Sequence, residues 1–203
     1  MADPAKIARA VARLAPGSIV RMGGMTDCFQ PAEAICRLTY KTIRMLNERG
    51  VGYLIVTKSP MVAEERYIDV MDRRLAHIQI SVTTTDDALA RTYERTAPPS
   101  QRIAAVEKLQ RRGFDVALRL SPFVPQLVDP GRINRVDCAK ALVEFLRVNA
   151  RIARRFGIDL SRYVLPQGGY RHLPLEEKLG ALRRITGFDS VSVCEDVTEH
   201  YAY

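Results

Sequence analysis

Long apolar runs are missing from this 203-residue sequence, and with them any candidate for a helix that spans a bilayer. The opening stretch, MADPAKIARAVARLAPG, has neither the unbroken apolar centre nor the cleavage site of a secretion signal, so a cytoplasmic location is expected. Cysteine is scarce. Cys28, Cys36, Cys138 and Cys194 stand too far apart in the chain for a compact metal knuckle, and in a reducing compartment they are expected as free thiols. His77, His172 and His200 are scattered as well, which leaves no metal ligands to assign. Neither GxGxxG nor GxxxxGK followed by Ser or Thr occurs, so the common glycine loops for nucleotides are excluded. Low-complexity sequence is absent too, and the apolar content suffices for a core.

What is present is one domain's worth of chain, read as a single unit over residues 1–203. Lysine and arginine number 31 against 23 aspartates and glutamates, a net charge of +8. Much of the surplus lies in Arg111–Arg112, in Arg151 with Arg154–Arg155, and in Arg183–Arg184. That balance favours an acidic partner such as nucleic acid or phosphate, or else reflects a solvated, arginine-rich helical surface. Aromatics are not interleaved with the basic clusters as they are in platforms that stack single strands.

Periodicity orders the chain into alternating elements. Ile7, Val11 and Leu14 mark one stripe of a helix over 5–14, and residues 18–22 form a short apolar run that ends in Gly23–Gly24. A loop over 25–33 leads into a helix with Pro31 in its first turn, three-four spacing from Ile35 to Leu46, and Gly50 just past its end. Residues 51–57 are nearly all apolar, as in a strand buried on both faces. A helix over 62–71 precedes a strand over 75–82, where Ile78, Ile80 and Val82 alternate with Gln79, Ser81 and Thr83. Thr84, Thr85, Asp86 and Asp87 suit a loop and helix start, and the helix marked by Ile103, Val106 and Leu109 stops at Gly113. A strand over 114–120, closed by Ser121–Pro122, is followed by a long loop over 123–137. Residues 141–148 read as a buried strand or a helix, residues 173–185 as a helix, and residues 190–194 as the last strand.

Repeated β-then-α order calls for a parallel sheet covered by helices. About six strands fit an open doubly wound sheet or a partial (βα) barrel, and the absent glycine loops favour the barrel. In either fold, ligands sit where strands end. Those ends read Gly23-Gly24-Met25-Thr26-Asp27, Thr57-Lys58-Ser59, Ser81-Val82-Thr83 and Ser121-Pro122. The set suits a small zwitterion carrying a ribose: Lys58 for a carboxylate, Asp27 for an amine or hydroxyl, Ser81 for a polar edge, and glycines that admit close backbone approach. The bland readings are a helix cap for Asp27, a solvated Lys58, a strand filler at Ser81 and an ordinary turn at Ser121.

The segments GGMTDCFQPAE, YLIVTKS, QISVTTTDDALARTYERTAPPSQRI and GFDVALRLSPFVP resemble the radical S-adenosylmethionine superfamily, in its branch of spore photoproduct lyase and DNA repair photolyase-like proteins. The resemblance covers residues 18–125 and continues more loosely to VSVCED. It implies a partial barrel that binds S-adenosylmethionine on a [4Fe–4S] cluster at the strand ends, and reductive cleavage to a 5′-deoxyadenosyl radical in a lyase that serves DNA repair. Asp27, Lys58 and Ser81 match positions that contact S-adenosylmethionine, and Ser121 matches one that borders its adenosine end. Glu94 and Arg102 match a family pair, for which a structural role over the cofactor is expected. The family's CxxxCxxC is not in this sequence, so the cluster ligands are not in this chain, and the chain is expected to begin after them, without the barrel's first strand. It is also expected to stop early after the last strand, at Tyr201-Ala202-Tyr203. The lyase's hydrogen-donor cysteine falls near Gly24 and has no counterpart, since Cys28 does not align with it. The competing expectation is a non-catalytic, degenerate barrel that binds nucleic acid or a protein through its arginine faces.

Overall fold

The computed structural model describes residues 3–156 and 159–194; Tyr201-Ala202-Tyr203 and His200 lie outside them. Six strands pair in a parallel sheet: β1 (Ile19–Met22), β2 (Gly52–Thr57), β3 (Ala76–Val82), β4 (Asp115–Phe123), β5 (Lys140–Phe145) and β8 (Ser190–Val193). A separate two-stranded antiparallel hairpin, β6 (Leu165–Gln167) with β7 (Tyr170–His172), lies between β5 and β8 in the chain. Spatial order in the main sheet follows chain order without a reversal. A doubly wound sheet needs such a reversal at its switch point, so the helices keep to one face and the sheet is a partial barrel. Among the described residues it does not close. β1 and β8 are its edges, and they are more exposed than β2 and β3, which are buried along nearly their whole length.

The helical layer comprises α1 (Pro4–Val11), α2 (Glu33–Cys36), α3 (Leu38–Glu48), α4 (Glu65–Val70), α5 (Asp87–Tyr93), α6 (Pro99–Arg111), α7 (Pro130–Ile133), α8 (Ala150–Phe156) and α9 (Leu175–Leu182). The core lies between this layer and the outer face of the sheet. Ile43 and Leu46 of α3 and Val106 and Leu109 of α6 are buried with Tyr53, Ile55, Ile80 and Leu118 of the strands.

Several expected elements are divided or redrawn. The helix read from Pro31 to Gly50 breaks at Arg37, which sits in the left-handed region at φ 50. The break is stabilised by Glu33, whose buried carboxylate accepts from the backbone N–H of Thr39 (2.9 Å) and Tyr40 (3.0 Å) and from the Tyr67 hydroxyl (2.8 Å). Two orphan donors of α3 are thereby satisfied by a side chain from α2. The helix read over 62–71 is a 3-10 turn at Pro60–Ala63, an extended Glu64, and then α4. Residues 123–137 contain a 3-10 turn and α7, and the helix read over 173–185 narrows to α9. Pairing on both sides makes residues 140–145 a strand. No described helix is long and apolar enough to cross a membrane.

Candidate functional site

Alternation within each strand gives the sheet two unlike faces. Ile78, Ile80 and Val82 of β3, and Val116, Leu118 and Leu120 of β4, join the helix-side core. The intervening residues face the other way and are largely polar: His77, Gln79 and Ser81 on β3, Asp115, Arg119 and Ser121 on β4, Lys140 and Glu144 on β5. They interlock across the strands. Asp115 is bridged by His77 Nδ1 at 2.5 Å and by Lys140 Nζ at 2.7 Å. Arg119 donates to Gln79 Oε1 at 2.5 Å and to Glu144 Oε2 at 2.6 Å, and Ser121 Oγ donates to the same Glu144 oxygen at 2.6 Å. Burial raises the Asp115 carboxyl, but Lys140 and His77 outweigh it and hold the group below the usual aspartate range. Of these, Ser81 and Ser121 were legible as strand-end groups, whereas Asp115, Arg119, Lys140 and Glu144 escaped the sequence reading, although the two-residue period of DVALRLS carries part of the signal.

At the C-terminal ends of β1, β2 and β3, a concavity of about 200 Å³ is lined by Gly23, Thr26, Asp27, Thr57, Lys58 and Ser81, among others. It adjoins, across the loop 23–27, a hollow of about 630 Å³ bounded by α1, α2 and α3. The larger volume is in the range typical of small-molecule sites, ~300–1,000 Å³, and the smaller is below it. Ser121 is not among the residues lining either concavity; it lies one strand further on, tied to Glu144.

Asp27 caps no helix. Its Oδ1 accepts from the Phe29 N–H (2.9 Å) and the Thr57 hydroxyl (2.8 Å), and its Oδ2 from the Lys58 N–H (2.8 Å), so the carboxylate staples the loop 23–29 to the end of β2. Gly23 is required by the same closure. It has φ +87, and a Cβ there would lie 2.4 Å from the Val56 carbonyl oxygen, whereas a Cβ at Gly24 meets nothing within 4 Å. Gly23→Ala is therefore expected to lower the melting temperature clearly and Gly24→Ala to leave it unchanged, as thermal denaturation followed by circular dichroism can check. A ligand whose affinity falls in Gly24→Ala then reports close approach to the backbone at that position.

Lys58 is not an isolated ammonium. It pairs with Glu94, and the other oxygen of Glu94 takes a 2.5 Å contact from Arg102 Nη2. Arg102, fully buried on α6, also donates to the Ser81 carbonyl (3.2 Å), the Ala97 carbonyl (2.7 Å) and the Thr96 hydroxyl. Burial raises the Glu94 carboxyl, but Lys58 and then Arg102 overcome it and hold the group below the ordinary glutamate range. The pair expected from the sequence is thus formed, and it reaches the ends of both β2 and β3.

The described cysteines do not fit a [4Fe–4S] cluster. Among the described residues no three His, Cys, Asp or Glu side chains gather where an ion could be held. Cys138 and Cys194 are buried, and the half-buried Cys28 has its thiol pushed far up by desolvation and then by the Asp27 charge, against the thiolate such ligation needs.

The fold and site define a class: a parallel partial (βα) barrel with polar groups gathered at its strand ends. Residues 1–129 match the family model of the Radical SAM superfamily, and the chain belongs to that superfamily. An uncharacterized protein of Mycobacterium tuberculosis (strain ATCC 25618 / H37Rv) is 27% identical over 115 residues, 55% of this chain and 34% of its own; one from Mycobacterium bovis (strain ATCC BAA-935 / AF2122/97) matches equally. The chain therefore spans about a third of the length of these curated relatives. Among solved structures, a spore photoproduct lyase complexed with dinucleoside spore photoproduct is similar at TM-score 0.60 and 18% identity, over 94% of this chain and 64% of that one. A variant of that lyase with bound AdoMet and the same dinucleoside gives TM-score 0.61 at 16% identity, with the same coverage of both chains. A domain of pyruvate-formate lyase-activating enzyme from Bacteroides vulgatus ATCC 8482 gives TM-score 0.57 at 11% identity, over 88% of this chain and 99% of that one. At these identities the likeness is one of fold.

Proposed function

We propose that this chain is the S-adenosylmethionine-binding part of a radical SAM enzyme of the spore photoproduct lyase-like type, acting as one domain over residues 1–203. The observation that carries this reading is the concavity where Gly23, Asp27, Lys58 and Ser81 meet at three adjacent strand ends. Gly24, on the adjoining hollow, is assigned to close backbone approach, and Ser121 to the border of the adenosine end. When bound and reduced in the complete enzyme, S-adenosylmethionine supplies a 5′-deoxyadenosyl radical. This chain's share is to bind and orient: Lys58 offers an ammonium to the ligand carboxylate, Asp27 holds the loop that brings Gly24 to the ligand, and Ser81 presents a hydroxyl edge. The thiolates of a [4Fe–4S] cluster are assigned to none of its described residues, so no electron-transfer step is assigned to it.

Calorimetric titration with S-adenosylmethionine tests the reading. Lys58→Ala is expected to weaken binding about tenfold or more, since a charged hydrogen bond contributes about 1.5–3 kcal/mol. Arg111→Ala, on the far end of α6, is expected to change nothing. Equal affinity in both variants and the parent would remove Lys58 from the site.

A nucleic-acid substrate is part of the proposal, supported by the net charge of +8 and by the dinucleoside bound to a structurally similar lyase. Not all of the basic surplus is available for it. Arg112 contacts Glu65 at 3.1 Å and Arg111 contacts Asp137 at 3.6 Å. Arg151, Arg154, Arg155, Arg183 and Arg184 are exposed. Affinity for duplex or single-stranded DNA is expected to fall steeply as salt rises, and Arg154→Ala with Arg155→Ala to flatten that slope. Absence of binding at low salt would return these arginines to the solvated surface.

A further inference from the structure

Three charged side chains from three different elements form a continuous chain at the candidate site. Lys58 directly follows β2, Glu94 follows α5, and Arg102 lies in α6. Arg102 is the most constrained of them: it is fully buried and bonds to the Ser81 carbonyl, the Ala97 carbonyl, the Thr96 hydroxyl and Glu94. Glu94 is nearly buried, with an exposure of 8%, and each of its oxygens is committed to a different cation. Lys58 is the open end, with 31% of its side chain exposed at the mouth of the concavity.

This arrangement is asymmetric in a way a simple brace is not. Joining the α5–α6 connection to β3 requires only Arg102, which already reaches Ser81, Thr96 and Ala97. The second oxygen of Glu94 is directed elsewhere, to an ammonium that lines the concavity. A lysine has four flexible bonds, and an ammonium tethered at one donor keeps two donors for a ligand while losing most of its rotamer freedom before the ligand arrives. Across Lys58, Glu94 and Arg102 the formal charges sum to one positive, so the tether does not cancel the attraction for an anion.

We propose that Glu94, anchored on Arg102, is the positioning residue that holds the Lys58 ammonium ready for a ligand carboxylate, and so makes the site selective for carboxylate-bearing ligands. This rests on the reading that the concavity binds S-adenosylmethionine. Glu94 acts through Lys58 and touches no ligand itself. The Glu94 carboxyl is held below the usual glutamate range, so the tether stays charged throughout neutral and mildly acid pH.

The test uses the full chain with two probes, S-adenosylmethionine and its decarboxylated analogue, and a second readout that needs no ligand, the rate of Lys58 acetylation followed by mass spectrometry. The parent protein is expected to prefer the carboxylate-bearing probe by about tenfold. Glu94→Asp keeps the charge beside Arg102 but shortens the reach to Lys58. It should cut the preference to about threefold or less and acetylate Lys58 several times faster, and Lys58→Arg in the same background should restore part of the preference. Glu94→Gln, which keeps the side-chain shape, serves where the shorter residue lowers the melting temperature. If preference and acetylation rate are unchanged in both variants, Glu94 merely braces the loop and the positioning role is overturned. If the parent protein binds neither probe, the cofactor reading itself fails and takes the positioning role with it.

Discussion

Replacing Arg102 with alanine is expected to cost about 3–5 kcal/mol of folding stability, the range for breaking a buried ion pair from one side. The guanidinium is wholly buried and serves four acceptors at once. Its loss strands the nearly buried Glu94 carboxylate with Lys58 as its remaining cation among these partners, and leaves the Ser81 and Ala97 carbonyls short of a donor. For a domain of this size each kcal/mol shifts the melting temperature by about 2–4 °C, so a drop of roughly 6–20 °C is expected in a calorimetric scan. Removing Glu94 as well should recover part of the loss, because no uncompensated carboxylate then remains. A drop of less than about 2 °C for Arg102→Ala would show that the network contributes no more than a surface pair does.

The same network sets a pH dependence. Glu94 has a lower pKa in the folded protein than in an unfolded chain, so the folded state binds its proton less readily. Its stabilising contribution is complete above the ordinary glutamate range and is lost as pH falls through the depressed folded value. Glu94→Gln should therefore flatten the acid limb of the stability curve. An acid limb identical in the two proteins would assign it to other carboxylates, Asp115 first among them.

Glu33→Ala is expected to have the second-largest effect, about 2–4 kcal/mol, from a lost helix cap and a stranded buried hydroxyl. Glu33 is 4% exposed and its carboxylate accepts three hydrogen bonds, two from the first turn of α3 and one from Tyr67, a fully buried residue whose ring packs against Phe29 at 4.8 Å between centroids. Alanine leaves the Thr39 and Tyr40 N–H groups and the Tyr67 hydroxyl without that acceptor. Urea denaturation should show a lower midpoint with an unchanged slope, since the surface exposed on unfolding is the same. Because α2 and α3 wall the larger hollow, looser packing there should also show as faster amide exchange in the first turn of α3. An unchanged midpoint would mean that water replaces all three bonds.

The sequence by itself determined the parallel α/β class, most strands of the main sheet and which polar groups stand at the strand ends. Its apolar run at 51–57 suits a strand buried on both faces, residues 75–82 alternate apolar with polar as a strand does, and the intervals between strands are too long for hairpins, so parallel crossovers follow from local chemistry. Gly50 and Gly113 past their helices, and the polar groups at 23–27, 57–59 and 81–83, were legible for the same reason. Residues 140–145 were not, because a short apolar run serves a buried strand and a buried helix alike; pairing with β4 and β8 decided between them. The hairpin β6–β7 was missed because its residues are mostly exposed and carry no apolar alternation. The break at Arg37 depends on a carboxylate that reaches across it, which spacing alone does not reveal. Partners at the site are of the same kind. Asp27 with Thr57, Lys58 with Glu94, and Arg119 with Glu144 lie 30, 36 and 25 residues apart, and only the order of the strands and the side each faces brings them within hydrogen-bond distance. Local sequence sets which residues a strand end carries; tertiary packing sets which of them meet, because a hydrogen bond depends on position to within a few tenths of an ångström.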